Sequence, residues 1–578
     1  MKQGRRIEPK PRHASDVGPA APPFRPASPL ASWWWLTIPA LAFTLVILYR
    51  MRSGPGYPLD DAWIHLAFAR HMAHGQGFGI NPSQWSTGST SPLWALMLAV
   101  GLLPGGGHSV WPWLLGAIAL AGSGMAAALV IHRLLARRRE LGAPSLRPAA
   151  ILGGLLVVST PGLLWSAAGA MEAPLFTALM LLAWAERLRE DLPAGGGGRA
   201  LALWGIPAGL AMLARPEGAL FIVLLALFSR RRSGIVNLIV SAGIYAPYGI
   251  YCLSVSGRFW PSTFYAKTTR AIAGLPDLGY VLRSVGSIAQ LMPALVALLM
   301  LGVLALGIGA IVGRPPGGGD PARMRLRERV TRWSPYLPGV LFIPALLLAY
   351  ASMGRTFLFA GLAGNFGRYF FPLAPFLVIL GVMALVVGAG GLPRRRIRSG
   401  WLLLVLGAFV GWNSGAAFGK AALFAHNVRD INAMQVEMAH RLARQLPPDA
   451  LVAANDVGAL AYFTDLRVLD LVGIVSPEVQ QVLFPLRHAD RVTRQRALFQ
   501  LLIALKPQAI VVFPQWYREI LQSLQPVLEL MEEVRVPDNI TAAQVDLVAY
   551  RLRWSKGALP PGPSSDPAPS PPGSGGTR

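Results

Sequence analysis

The sequence predicts an α-helical polytopic membrane protein of about eleven transmembrane helices, ending in a small α/β domain that faces water. Three observations predict it. Of 578 residues, 53% are hydrophobic and only 14% charged, too few charged side chains to coat a soluble particle of this size. Apolar stretches long enough, or nearly so, to cross a ~30 Å hydrocarbon core recur up to about residue 419. Beyond that point short β-type runs alternate with helical patterns.

A net charge of +25 raises the question of nucleic acid. The basic residues, however, sit in short runs between apolar stretches, which is the membrane pattern and not a basic face with interleaved aromatics. Nucleic acid is therefore not an expected partner; the lipid bilayer is. The single cysteine, Cys252, excludes an intrachain disulfide and a multi-cysteine zinc site.

Residues 1–30 combine Lys2, Arg5, Arg6, Lys10, Arg12 and Arg25 with Pro, Ala and Ser, the composition of a disordered basic tail. Residues 31–419 form the expected membrane domain, with a first outer loop over 51–110. Its first span is Trp33–Tyr49, with Trp33, Trp34 and Trp35 as an aromatic belt. Ten more are placed near 111–132, 150–168, 173–186, 200–214, 217–229, 234–254, 287–312, 337–354, 369–390 and 400–418. Stretch 90–103 suits a surface helix better than a span. With the amino terminus in the cytoplasm, the inner segments carry roughly 27 Lys and Arg and the outer loops roughly 10. That asymmetry puts the carboxyl-terminal portion outside.

Residues 420–555 are expected to be an extracytoplasmic α/β domain. It opens with an amphipathic helix over 426–446, has β-type runs at Leu451–Ala454, Val468–Val472, Ala509–Phe513 and Asp546–Trp554, and has a helix near 489–505. Residues 556–578, rich in Pro, Gly and Ser, read as a disordered tail.

Ionisable residues at the outer ends of apolar segments are the functional candidates, because deep insertion costs roughly 2.5–3.5 kcal/mol. Asp60 and Asp61 open a surface helix, Asp60–His74, where an N-cap and a dipole-favoured first turn would also explain them. Asp61 and His65, four apart, share a face able to hold a divalent cation such as magnesium or manganese, although two ligands do not fix a metal. Glu172 lies in the break 169–174, where a first-turn role would also account for it, and Glu217 in the break after Arg215-Pro216, where an Arg215–Glu217 pair would be structural. Lys267 belongs to an aromatic outer loop. Arg368 stands at the start of the tenth span, suited to snorkelling or to gripping a lipid-linked phosphate.

The run Asp60-Asp61-Ala62-Trp63-Ile64-His65, continued by Ala69-Arg70, Gly75-Gln76-Gly77-Phe78, Asn81-Pro82 and Thr90-Ser91-Pro92-Leu93-Trp94, resembles the first outer loop of polytopic glycosyltransferases with the GT-C fold. Within them it looks most like the branch of actinobacterial terminal arabinofuranosyltransferases, from which it departs at Trp63 and at Ser86-Thr87-Gly88-Ser89. The resemblance extends to the break at Gly169–Leu175, to Ala214–Gly218, Pro261–Lys267, Gly367-Arg368-Tyr369, Asn455–Ala459 and Asp470–Gly473. It implies transfer of a sugar from a polyprenyl-phosphate donor to a glycan, lipid or protein acceptor outside a bacterial inner membrane. It also implies a catalytic aspartate at Asp60 or Asp61.

The residue chemistry agrees with that implication. Glycosyl transfer needs a base for the acceptor hydroxyl and cations for the departing phosphate. The expected set is Asp60 or Asp61 as base, Lys267, Arg368 and Arg215 at the donor phosphate, and Glu172, His65 and Glu217 as orienting or metal-binding groups. With no evident second carboxylate placed as a nucleophile, inversion is expected. The rival readings are a transporter or flippase of lipid-linked sugars, which would carry ionisable groups at the midplane, and a non-catalytic assembly factor built around the terminal domain.

Overall fold

The computed structural model describes residues 33–103, 110–137, 146–191, 203–266, 276–312, 333–353, 367–389 and 395–554. Lys267 and the tails expected at 1–30 and 556–578 lie outside the described residues. The chain opens with α1 (Thr37–Ser53), α2 (Asp60–Ala73), α3 (Pro92–Val100) and α4 (Trp111–Ala136). There follow α5 (Leu146–Val158), α6 (Pro161–Ala168), α7 (Ala173–Arg187), α8 (Gly205–Ala214), α9 (Gly218–Leu227) and α10 (Arg231–Ser256). The short α11 (Ser262–Ala266) leads to α12 (Leu278–Leu291), α13 (Pro293–Val312), α14 (Leu337–Ser352), α15 (Ala374–Gly388) and α16 (Arg395–Ile431).

Each of the eleven expected apolar stretches carries a helix, and stretch 90–103 is the short α3. Among the described residues five helices are long and apolar enough to cross a membrane, or seven when two bent pairs each count as one span; α8, α9 and α14 are apolar but shorter. Both bent pairs divide stretches that the sequence suggested were single. The helices α5 and α6 meet at 57°, where Thr160 precedes Pro161. The helices α12 and α13 meet at 103°. Pro293 lacks an N–H and its ring disfavours helical backbone at Met292, so 287–291 belong to α12 and not to the span. Asp277 is the N-cap of α12, accepting the Tyr280 N–H at 3.2 Å.

Without a strong hydrophobic drive between helices in lipid, close backbone approach has to supply the packing. At the α4–α5 contact Gly124 and Gly154 face each other so tightly that a Cβ on Gly154 would sit 2.8 Å from the Gly124 carbonyl oxygen and 2.5 Å from Ile38 Cδ1.

The boundary expected at 419/420 falls inside a helix. Helix α16 runs for 37 residues, about 56 Å at 1.5 Å per residue, and continues through a π turn (Asn432–Val436) into α17 (Glu437–Gln445). The expected span and the expected amphipathic helix are thus one rod. It carries five strands: β1 (Leu451–Ala454), β2 (Arg467–Asp470), β3 (Ala509–Val512), β4 (Leu528–Arg535) and β5 (Asp546–Leu552), in the order β2-β1-β3-β5-β4. The pairs β1–β2 and β1–β3 are parallel, β3–β5 and β5–β4 antiparallel. Between the strands lie α18 (Gly458–Phe463), α19 (Pro477–Leu483), α20 (Arg491–Leu505) and α21 (Arg518–Leu524).

Alternation along the strands assigns two buried faces. Ala453, Ile510 and Val512 pack with Leu498, Leu502 and Ile520 of α20 and α21. Val452, Ala454 and Val511 join the core shared with the membrane helices, through Met434, Met438 and Leu442. The sheet is therefore seated on the helical part. Filling the α4–α5 contact tests that part of the packing: Gly154→Ala is expected to lose about 1–3 kcal/mol, read as a lower thermal unfolding midpoint in detergent; an unchanged midpoint would mean the two backbones are not held at this distance.

Candidate functional site

Helix α2 begins after Leu59, whose extended backbone ends the preceding segment, and its first turn places two carboxylates near unsatisfied N–H groups. One of them, Asp61, lines a small hollow of about 50 Å³ that is partly open to solvent. Its other polar walls are His65, Glu172, Arg215, Glu217 and Arg368. Thr90, Met171, Pro216, Thr263, Phe264 and Tyr369 complete the lining. Residues from six separate stretches of chain thus meet in one cavity.

The charges in the hollow are ordered in a chain. Arg215 donates to Glu172 at 2.9 Å and to Glu217 at 3.2 Å, and the Tyr350 hydroxyl donates to Glu217 at 2.9 Å. His65 Nε2 lies 3.5 Å from Glu172 Oε2. Burial alone would raise Glu172, but His65 and Arg215 outweigh it and hold the carboxyl below the usual range. Arg368 pairs with Asp61 at 2.6 Å. The Arg368 side chain is 13% exposed and that of Asp61 39%, so the carboxylate is the partner that a solute reaches. Among the described residues Arg368 Nη1 has no hydrogen-bond partner although it is buried, and the same holds for Thr263 Oγ1.

Asp60 points elsewhere. Its two carboxylate oxygens accept the N–H groups of Gly458 and Ala459 at 2.7 and 2.8 Å, and it does not line the hollow. The expected pair of acidic residues therefore diverges, Asp61 toward the cavity and Asp60 toward the sheet domain. Lys267 lies outside the described residues. Arg215 has its nitrogens committed to two carboxylates, unlike Arg368. Sequence reasoning missed Tyr350, which lies within an apolar helix, and gave Thr90 and Thr263 no role although both stand in the runs that carried the resemblance.

The divalent cation expected from Asp61 and His65 has no closed ligand set among the described residues. Among the described residues no three of His, Cys, Asp and Glu gather closely enough to hold one. The charges a cation would neutralise are met by Arg368 on Asp61 and by Arg215 on Glu172 and Glu217.

Residues 426–556 match a family model described as a domain of unknown function, DUF8728. No curated protein matches the sequence. In three dimensions the chain is similar to the crystal structure of ArnT from Cupriavidus metallidurans bound to undecaprenyl phosphate, with a TM-score of 0.54 and 16% identity over 90% of this chain and 98% of that one. The apo state of the same protein gives 0.50 and 17% over 89% and 97%. The apo oligosaccharyltransferase of Archaeoglobus fulgidus gives 0.48 and 13% over 83% and 70%. The ArnT likeness shows the fold: a polytopic, mostly helical membrane architecture of the GT-C type, closed by a small C-terminal sheet domain.

The Asp60 environment has a measurable pH signature. Burial, and then the charge of Asp456, push Asp60 up to about 8 against the two N–H bonds. Asp456 is raised as well, by its own burial. In the folded state Asp60 keeps a proton that an unfolded Asp, with a pKa of about 3.9, has already released. Stability from this source is complete below about pH 4 and is lost as pH rises toward about 8. The unfolding midpoint is expected to fall between pH 5 and pH 8.5, and Asp456→Asn to flatten that fall; equal slopes in both proteins would show that the carboxyls do not interact.

Proposed function

We propose that this protein is a membrane glycosyltransferase that moves a sugar from a polyprenyl-phosphate donor onto an acceptor hydroxyl. One observation carries the reading: a solvent-reachable carboxylate, Asp61, and a buried guanidinium with an unpartnered nitrogen, Arg368 Nη1, share one hollow. A base and a phosphate ligand are the two groups the reaction needs at one point. The ArnT structure, similar in fold, is bound to undecaprenyl phosphate, which supports a lipid-linked donor here.

In this reading the donor phosphate binds Arg368, supplemented by Lys267, and Thr263 adds a hydroxyl donor. The acceptor oxygen attacks the anomeric carbon and its proton passes to Asp61. The bond from that carbon to the phosphate oxygen breaks, and its electron pair leaves on the phosphate, where Arg368 stabilises the charge. A single displacement of this kind inverts the anomeric centre. Glu172, Glu217, His65 and Arg215 orient the groups around it. The hollow then faces the extracytoplasmic side of a bacterial inner membrane, with the isoprenoid lying along the helices. The first-loop resemblance makes a pentofuranosyl donor the first to supply.

The test offers polyprenyl-phosphate sugars one at a time to purified protein with a membrane glycolipid extract, and follows label into product. Asp61→Asn is expected to lower kcat by about 10²–10⁴-fold while binding polyprenyl phosphate at least as well as wild type, because Arg368 is released from its partner. Arg368→Ala is expected to weaken that binding by about 10–100-fold, as for a lost hydrogen bond to charge, and Arg368→Lys to recover part of it. Wild-type turnover in Asp61→Asn, or no incorporation from any donor, would sink the transferase reading.

A further inference from the structure

At about 100° of rotation per residue, helix α2 presents two different faces on roughly opposite sides of its axis. Asp61 and His65 look into the hollow. Asp60, Trp63 and Arg70 meet α18, a helix almost 400 residues further along the chain. Asp60 takes the N–H groups of Gly458 and Ala459 at the start of α18. At the other end Arg70 donates to the carbonyls of Tyr462, Ala461 and Thr464 at 2.6, 3.2 and 3.3 Å. Between these grips the buried Trp63 ring lies 5.2 Å from Tyr462 and 4.6 Å from Phe463, in the range of favourable ring contacts. Backbone also meets backbone: a Cβ on Gly458 would stand 2.2 Å from the Asp60 carbonyl oxygen and 2.8 Å from the Ile64 nitrogen.

The rest of the first loop repeats the arrangement. Asn81 accepts the Val468 N–H at 2.7 Å and donates to its carbonyl at 2.9 Å, on strand β2. Ser86 donates to the Val475 carbonyl at 2.5 Å. The partners of Asp61 and Glu172 in the hollow come, by contrast, from the membrane part: Arg368 from the start of the α15 segment and Arg215 from the α8–α9 break. The helix that carries Asp61 is thus held by one domain while the groups it must meet are held by another.

From this we infer that α18 of the C-terminal domain is the positioning element of the active site, and that Asp60 and Arg70 are positioning residues which fix α2 so that Asp61 and His65 meet Arg368 and Glu172. The inference rests on the transferase reading for its catalytic consequence, but its structural half stands without it. A displacement of about 1 Å at a reacting group can cost roughly 100-fold in rate, so a rigid seat for α2 has a direct effect on turnover. Arg368 itself lies off this interface, so loosening α2 leaves the donor's phosphate ligand in place, and donor affinity is kept or, as Arg368 loses its Asp61 partner, raised.

Gly458→Ala tests this with one methyl group placed outside the hollow. Amide hydrogen exchange is measured over 458–463 and over 61–65, together with kcat per folded molecule and binding of polyprenyl phosphate. Faster exchange in both segments is expected, with kcat down roughly 100-fold and polyprenyl-phosphate binding at least as tight as in wild type. Arg70→Ala should behave in the same way and Arg70→Lys should recover part of the loss, which keeps the test open where Gly458→Ala fails to fold. Unchanged exchange over 61–65, or faster exchange with full turnover per folded molecule, would overturn the inference. If wild type neither binds polyprenyl phosphate nor turns over, the transferase reading falls while the exchange data still decide whether α18 holds α2.

Discussion

Arg215 is the constraint on which the other contacts of the hollow are built. A buried guanidinium costs several kcal/mol to desolvate and is tolerated only when its partners are complete. Here the partners are the buried Glu172 and the nearly buried Glu217, with the Tyr350 hydroxyl donating to the same Glu217 oxygen that Arg215 reaches. They come from three places in the chain: Glu172 from the start of α7, Arg215 and Glu217 from the α8–α9 break, and Tyr350 from α14. Satisfying one cation thus brings four elements to one level, and the aromatic faces of Phe176 and Tyr369 close over it. A helical bundle in lipid has little else to fix its depth register, since apolar side chains gain nothing by choosing one neighbour over another.

The second organising feature is that the sheet domain and the helices do not meet across a linker. The rod formed by α16, the π turn and α17 crosses from one to the other without a break. The extra residue of the π turn is used on both sides: Asn432 donates to the Pro55 carbonyl at 2.9 Å, and Gln435 donates to Asp456 at 2.8 Å. First loop, rod and sheet therefore close a ring of contacts around α2.

Much of the hollow was legible in the sequence because burying charge is costly and therefore informative. Asp61, Glu172, Arg215, Glu217 and Arg368 stood out as ionisable groups at the ends of apolar stretches, and all five line one cavity. The divergence of Asp60 was not legible. Neighbouring residues on a helix differ by a fixed angle, but which of two points inward depends on a partner, and the partner was Gly458 at the far end of the chain. Tyr350 was missed because one hydroxyl within an apolar helix carries no pattern. Strand β4 was missed because Glu529, Glu532 and Glu533 make its sequence read as surface, as an exposed sheet edge with a bulge requires. The helices were legible as elements but not as spans, since hydropathy does not reveal the bend that Pro293 imposes.

On the proposed reading, the Asp61–Arg368 pair explains how donor binding and base strength are linked. With Arg368 beside it, Asp61 is a poor base, because the guanidinium favours the ionised carboxylate. A phosphate that takes over Arg368 removes that stabilisation and brings a second negative charge close to Asp61. Both changes raise the affinity of the carboxylate for a proton at the moment an acceptor hydroxyl must give one up. The pair is then more than an ion pair awaiting a ligand. It releases a competent base only where a donor has already drawn Arg368 away from Asp61.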